Sequence, residues 1–156
     1  MSVWTKRSVG ALGALGLAAL VAACSPPPPP EPTVAQINVV AAEGANPDPT
    51  GRASPTVVHI YALKTGAPFN IGSYDALTGG EMGDLAETMD RIARFVILPG
   101  QETKKVFELP EGTSDVGITA AYRDVATSKW RAQAPVTPNA VTILNARIGA
   151  NEVTLE

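Results

Sequence analysis

The run Thr56 to Leu63, T-V-V-H-I-Y-A-L, limits the possible folds more than any other stretch of this 156-residue chain. β-Branched and aromatic side chains at this density suit a pleated, half-buried surface. Alternation puts Val58, Ile60 and Ala62 on one face and Val57, His59, Tyr61 and Leu63 on the other. Both faces are mostly apolar, so a strand here needs cover, at least in part, on both sides. Directly before it stands N-P-D-P-T-G-R-A-S-P, Asn46 to Pro55. Its prolines, Gly51, Asn46 and Asp48 leave no run that could hold a helix or a ladder. A stiff polar loop is therefore joined to a strong strand. Such a loop is either an ordinary wide turn or a displayed recognition element.

The remaining chain repeats the pattern of short strands and turn signals. Thr33 to Ala42 is a first strand candidate, with Val34, Ile37, Val39 and Val40 divided between two faces. After the Thr56–Leu63 strand the pattern changes from Lys64 to Asp90. Ser73 is placed to cap a turn carrying Tyr74 and Leu77, and Asp84 with Glu87 reads as a capping box with Leu85 and Met89 on one helical face. One or two short helices are expected there, linked by Gly79, Gly80 and Gly83. Strands then resume at Arg91–Leu98, Thr103–Leu109, Asp115–Asp124 and Trp130–Val136, with Pro99-Gly100 supplying the residue types of a type II turn. Ala140–Arg147 and Glu152–Glu156 form a last hairpin around Gly149-Ala150-Asn151. Seven or eight short strands with a small helical insert predict an all-β chain, an antiparallel β-sandwich over residues 33–156. A chain of this size closes such a core without staples.

The N-terminus is not part of that domain. Lys6 and Arg7 precede an apolar run from Val9 to Val21, then Ala22, Ala23 and Cys24. A basic end, about a dozen apolar residues and small residues before a break make a secretory signal, residues 1–23. The run is too short for a permanent span, which needs about 20 apolar residues. Val21-Ala22-Ala23-Cys24 resembles the lipobox of bacterial lipoproteins, which implies cleavage before Cys24 and its acylation. Ser25 resembles the residue type that permits sorting to the outer membrane. Residues 24–32 then carry the acylated cysteine and Pro26 to Pro30, Glu31 and Pro32, a polyproline II spacer of roughly 20 Å.

These features exclude several functions. Cys24 is the one cysteine, so its acylation leaves no thiol for a disulfide, a metal or a nucleophile. Taking Lys6 and Arg7 from the 12 basic residues leaves 10 against 15 acidic ones, a formal net charge of −5 for the mature chain. An acidic domain with no basic stripe is a poor ligand for nucleic acid. His59 has no motif around it that supplies a nucleophile and an orienting group, and no nucleophile elbow, zinc pair or phosphate loop is present. Glu81, Asp84, Glu87 and Asp90 recur every third residue, the pattern of a solvated helix face rather than of a calcium loop. No catalytic residue, metal or cofactor is expected. Trp130 and Tyr122 on a sandwich face leave open a small-ligand or glycan-binding lipoprotein.

Taken together, the lipobox at Cys24, the loop N-P-D-P-T-G-R-A-S-P feeding V-V-H-I-Y-A-L, F-V-I-L-P-G at Phe95 to Gly100 and V-G-I-T-A-A-Y-R-D at Val116 to Asp124 resemble the TssJ (VasD/SciN) family. These are the outer-membrane lipoproteins of the bacterial type VI secretion system. The set runs through nearly the whole mature chain in the family's order, and departs from it at His59 and Ala62, where Arg and Gln are common. The resemblance implies a transthyretin-like β-sandwich with a helical addition, and a non-enzymatic role. The partner it implies is the periplasmic C-terminal region of TssM, and through it the inner-membrane complex, held to the outer membrane by the acyl anchor. It also implies docking through the loop between the first two strands. Here that is Gly44 to Ser54, with Asn46, Asp48, Thr50 and Arg52 as its polar, reachable members beside Gly44, Gly51 and Ser54; the alternative for Asn46 or Asp48 is to close the turn through local side-chain bonds.

Overall fold

A computed structural model describes Met1, residues 28–80 and residues 82–156. The expected signal run, Cys24 and the first prolines of the expected spacer lie outside the described residues, as does Glu81. Eight strands follow from residue 34 onward: β1 Val34–Ala41, β2 Thr56–Leu63, β3 Met89–Ile97, β4 Glu102–Glu108, β5 Asp115–Ala120, β6 Arg131–Pro135, β7 Val141–Ile148 and β8 Val153–Leu155. They form two four-stranded sheets, one in the order β4-β1-β7-β8 and the other β3-β2-β5-β6. All pairings are antiparallel except β1 with β7, which run parallel from Val34↔Val141 to Ala41↔Ile148. Between the sheets lies one core, built by alternate residues such as Ala35, Ile37 and Val39 of β1, Val58 and Ile60 of β2, Val116 and Ile118 of β5, and Leu144 and Ile148 of β7.

The two apolar faces of β2 find cover as its sequence requires. Val58, Ile60 and Ala62 enter the core between the sheets. Tyr61 and Leu63 point outward into a second apolar cluster with Phe69, Leu77 and Met89. That cluster is closed by two short helices, α1 Gly66–Ile71 and α2 Tyr74–Thr78. Ser73 caps α2 as its position predicts, accepting from the Ala76 amide at 3.2 Å. Neither helix has a basic residue of its own in the last turn. Sheet residues supply that charge instead. A terminal guanidinium nitrogen of Arg131 donates to the carbonyls of Phe69 at 2.9 Å and Gly72 at 2.6 Å, and one of Arg91 donates to Leu77 and Gly79, both at 2.7 Å. The Tyr61 hydroxyl also donates to Leu77 O, at 2.5 Å. Orphan carbonyls at two helix ends are thereby met by cations, where the helix dipole favours them.

The second half of the insert differs from its local pattern. Asp84 and Glu87 do not form a capping box: Gly83–Glu87 is a single 3₁₀ turn whose first residue has φ 51° and whose N-cap, Met82, makes no side-chain bond. Met89 does not share a helical face with Leu85. It is the first residue of β3, pairs with Leu63 and is fully buried. Burial of Met89 and eight ladder positions outweigh a local preference worth a few tenths of a kcal/mol per residue. At Leu98-Pro99-Gly100-Gln101 the turn forms as its residues dictate, with φ 75° at Gly100 and Gln101 N–H donating to Leu98 O at 3.0 Å.

His59 lies on the outer face of β2, only 3% exposed, with Nδ1 3.3 Å from Thr119 Oγ1 and Nε2 without a partner. Burial, and then the positive charges of Arg91 and Arg94, lower its pKa from 6.5 to about 4. It is a structural histidine carried neutral. Between these two values the unfolded chain binds the extra proton and the folded chain does not, so stability is complete above pH 6.5 and declines as pH falls toward 4. The expected loss is about 2 to 3 kcal/mol. Urea midpoints at pH 7 and pH 4.5 should differ by less in His59→Gln than in the wild type; equal pH dependence would remove His59 as its source.

Candidate functional site

The β1–β2 loop is built in two tiers. At its neck, Ser54 N–H donates to Ala45 O at 3.0 Å, closing the chain on itself just beyond β1. At its tip, Asp48 N–H donates to Arg52 O and Gly51 N–H to Asp48 O, both at 2.8 Å. Gly51 occupies φ 84°, a conformation glycine enters without the clash of a Cβ.

Asp48 is the hub of the tip. Its Oδ1 accepts from Thr50 N–H at 2.9 Å, Thr50 Oγ1 at 2.6 Å and Arg52 N–H at 3.1 Å, while Oδ2 accepts from Arg52 Nε at 3.1 Å. The Thr50 hydroxyl, then the Arg52 amide, hold its pKa below the ordinary 3.8. The ionised form is the one that organises the tip, so this order is present above pH 3.8 and is lost as pH falls through the lowered value. Arg52 also closes an ion pair at 3.0 Å, yet its side chain stays 82% exposed.

Asn46 sits in the left-handed region at φ 50° and is 3% exposed. Its Nδ2 donates to Pro55 O at 3.1 Å and Ala121 O at 3.4 Å, and its Oδ1 accepts from Arg123 N–H at 2.7 Å. Ser54 is 4% exposed, and its Oγ accepts from Arg123 Nε at 2.9 Å. Asn46 and Ser54 are therefore not reachable members of the loop surface, because both side chains are used to fasten the loop to the end of β5. Among the residues expected to form the surface, Gly44, Thr50, Gly51 and Arg52 are exposed and Asp48 is half-buried. Thr50, Gly51 and Arg52 form the tip.

Beside the loop runs a groove of about 480 Å³. One wall is residues 46–49, another is residues 122–124 with 127–128, and the end is residues 150–151. In the second wall Asp124 collects Thr127, whose N–H lies 3.3 Å from Oδ1 and whose hydroxyl lies 2.7 Å from Oδ2. The D-x-x-T spacing marks such a local turn in the sequence. Its position opposite Asn46–Pro49 has no local signal, since it depends on β5 lying beside β2. Tyr122 lines the groove from below, 5% exposed, with its pKa raised first by burial and then by Glu152.

The aromatic pair offers no open sugar platform. Tyr122 belongs to the core between the sheets, and Trp130 is packed edge-on by Tyr74 at 5.2 Å and covered by Arg131 4.6 Å from its ring centroid. Among the described residues, no three His, Cys, Asp or Glu side chains converge to hold a metal ion.

Comparisons with known proteins agree with this architecture. Residues 33–155 match the model of the family described as type VI secretion lipoprotein (VasD, EvfM, TssJ). The chain is similar to the T6SS lipoprotein TssJ1 from Pseudomonas aeruginosa, with 29% identity and a TM-score of 0.70 over 80% of this chain and 95% of that one. It is similar to a chain of a Type VI membrane complex, with 25% identity and a TM-score of 0.65 over 81% and 99%. In fold it also matches a chain in the structure of the T6SS protein TssM C-terminal domain (869–1107) from EAEC, with 24% identity and a TM-score of 0.62 over 80% and 98%. No curated protein matches the sequence. The family match spans the whole two-sheet domain and the loop it displays: the chain belongs to the type VI secretion lipoprotein family.

Proposed function

We propose that this chain is a non-enzymatic, lipid-anchored tether of the type VI secretion membrane complex, holding the periplasmic C-terminal region of TssM to the outer membrane. Residues 1–23 are then a signal peptide, Cys24 carries the acyl chains, residues 24–32 set the distance from the lipid and residues 33–156 present the docking loop. Each buried methylene contributes about 0.8 kcal/mol, so two or more chains make an effectively permanent anchor. The observation that carries the docking role is the loop tip. Thr50, Gly51 and Arg52 stand exposed on a frame fixed by Asp48 below and Asn46 behind. A preorganised tip loses little entropy when a partner closes on it. The likeness to a chain of a Type VI membrane complex and to a chain in a TssM C-terminal domain structure supports the choice of partner.

The combined variant Thr50→Ala, Arg52→Ala should bind a purified periplasmic TssM fragment at least tenfold more weakly, with its β-type circular dichroism unaltered. Undiminished affinity would remove the tip from docking. In cells, Cys24→Ser should release the protein from the membrane fraction and stop secretion. Secretion at the wild-type rate would refute the tether.

A further inference from the structure

We propose that the groove beside the docking loop takes an acidic side chain of the same periplasmic partner. The carboxylate of that Asp or Glu pairs with the Arg123 guanidinium, and the Asn151 amide bonds the peptide next to it. This rests on the docking role proposed above and extends it from the loop tip to a second wall.

Arg123 is held at two points before any partner arrives. Its N–H donates to Asn46 Oδ1 at 2.7 Å, and its Nε donates to Ser54 Oγ at 2.9 Å. The residue is nonetheless exposed in the groove wall. Among the described residues, its terminal nitrogens have no hydrogen-bond or ion-pair partner. A guanidinium tied through Nε presents its far end as a fork, a geometry that meets both oxygens of a carboxylate.

The carboxylates of the groove are engaged elsewhere. Asp48 accepts from Thr50 and Arg52, and the two oxygens of Asp124 face the N–H and hydroxyl of Thr127. Among the described residues Arg123 thus has no counter-ion of its own. A partner that closes on the loop tip removes water from this cation, and a desolvated charge left unpaired is costly. The partner therefore has to bring an acceptor, and a carboxylate makes the stronger, charge-assisted bonds.

The lining selects against a free anion. Asp48 and Asp124 stand in it against Arg123, so net charge does not draw anions in and recognition depends on directed bonds. Asn151 supplies them for a peptide. It is exposed at the end of the groove, and its backbone carbonyl already accepts from Lys129 N–H at 2.9 Å. Its side-chain amide, an acceptor and a donor in one group, matches the N–H and C=O of an extended chain.

The experiment measures binding of the purified periplasmic TssM fragment to the full-length lipoprotein in detergent, at about 50 and about 500 mM NaCl. The variants are Arg123→Gln, Arg123→Glu, Ser54→Ala and the Thr50→Ala, Arg52→Ala pair, each checked for wild-type urea stability. Arg123→Gln is expected to weaken binding at least about tenfold at low salt and to flatten the salt dependence, because no ion pair is left to screen. Ser54→Ala removes the Nε tie and keeps the charge, so its loss should stay under about threefold. Arg123→Glu should lose binding and regain it when one Asp or Glu of the TssM fragment is changed to Lys. If the tip variant weakens binding while Arg123→Gln binds like the wild type, the groove inference is overturned and tip docking stands. If neither weakens it, both fall. A loss in Arg123→Gln with the wild-type salt dependence, or with no charge exchange that restores Arg123→Glu, reports loop support alone and overturns the ion pair. A groove that serves a small soluble anion instead would leave the Arg123→Gln affinity for TssM unchanged, and so counts against the proposal.

Discussion

Asn46→Ala is expected to lower stability by about 3 kcal/mol, the largest effect of any single substitution in the loop. The change strands the carbonyls of Pro55 and Ala121 and the amide of Arg123; an unpaired group costs about 1–3 kcal/mol when buried, and less for part-buried groups such as these, which water can reach. It also places alanine at φ 50°, where a non-glycine residue without a short polar side chain is disfavoured by about 1–2 kcal/mol. Two further variants separate these causes. Asn46→Gly relieves the backbone and restores no bond, whereas Asn46→Asp keeps the acceptor for Arg123 and loses the donor to both carbonyls. Urea unfolding should rank the wild type first, with all three variants below it. A loss under 1 kcal/mol for alanine would mean that Asn46 does not hold the frame. If TssM docks on the loop tip as proposed, its affinity should fall as well, because Asn46 fastens the loop that carries the tip.

The second large effect is expected at Gly117. A Cβ there would stand 2.8 Å from the Phe69 ring, closer than real Cβ contacts come. Phe69 is fully buried against Tyr61, ring centroids 5.4 Å apart, so it has little freedom to retreat. Valine suits a strand better than glycine on propensity alone, by less than about 1 kcal/mol, and the clash decides the sign. Gly117→Val should cost about 2–3 kcal/mol and loosen α1 and α2 from the sheet. Limited proteolysis within residues 64–88 would report the release. Adding Phe69→Leu to Gly117→Val should recover part of the loss, a coupling that a purely local backbone effect at Gly117 would not produce.

Much of the fold was legible because strands announce themselves through alternation. Thr56–Leu63 required cover on both faces, and the inter-sheet core and the insert provide it. Pro99-Gly100 and Ser73 acted through bonds within three residues, the range at which sequence spacing carries information. Longer range defeated the same reasoning. Asn46 and Ser54 are polar residues in a polar loop and read as surface or, for Asn46, as a local turn closure. Their partners at Ala121 and Arg123 lie 69 to 77 positions away, and strand order alone brings them near. The capping box at Asp84 failed for the same reason, since pairing of Met89 with Leu63 claims the chain before a helix can run on. The groove's second wall carries a readable turn motif, Asp124 with Thr127, but nothing local states what it faces.

The central place of β1 has a mechanical consequence. The proposed spacer leads into its first residue, Val34, and the proposed docking loop follows its last, Ala41, so β1 would join tether and tip over eight residues, roughly 26 Å of extended chain. A pull applied between these two ends acts along the strand axis. β1 is flanked by β4 on one side and β7 on the other, from Val34 to Val40 or beyond. Tension therefore loads both ladders in shear, with many hydrogen bonds sharing the force at once, rather than peeling them open one after another.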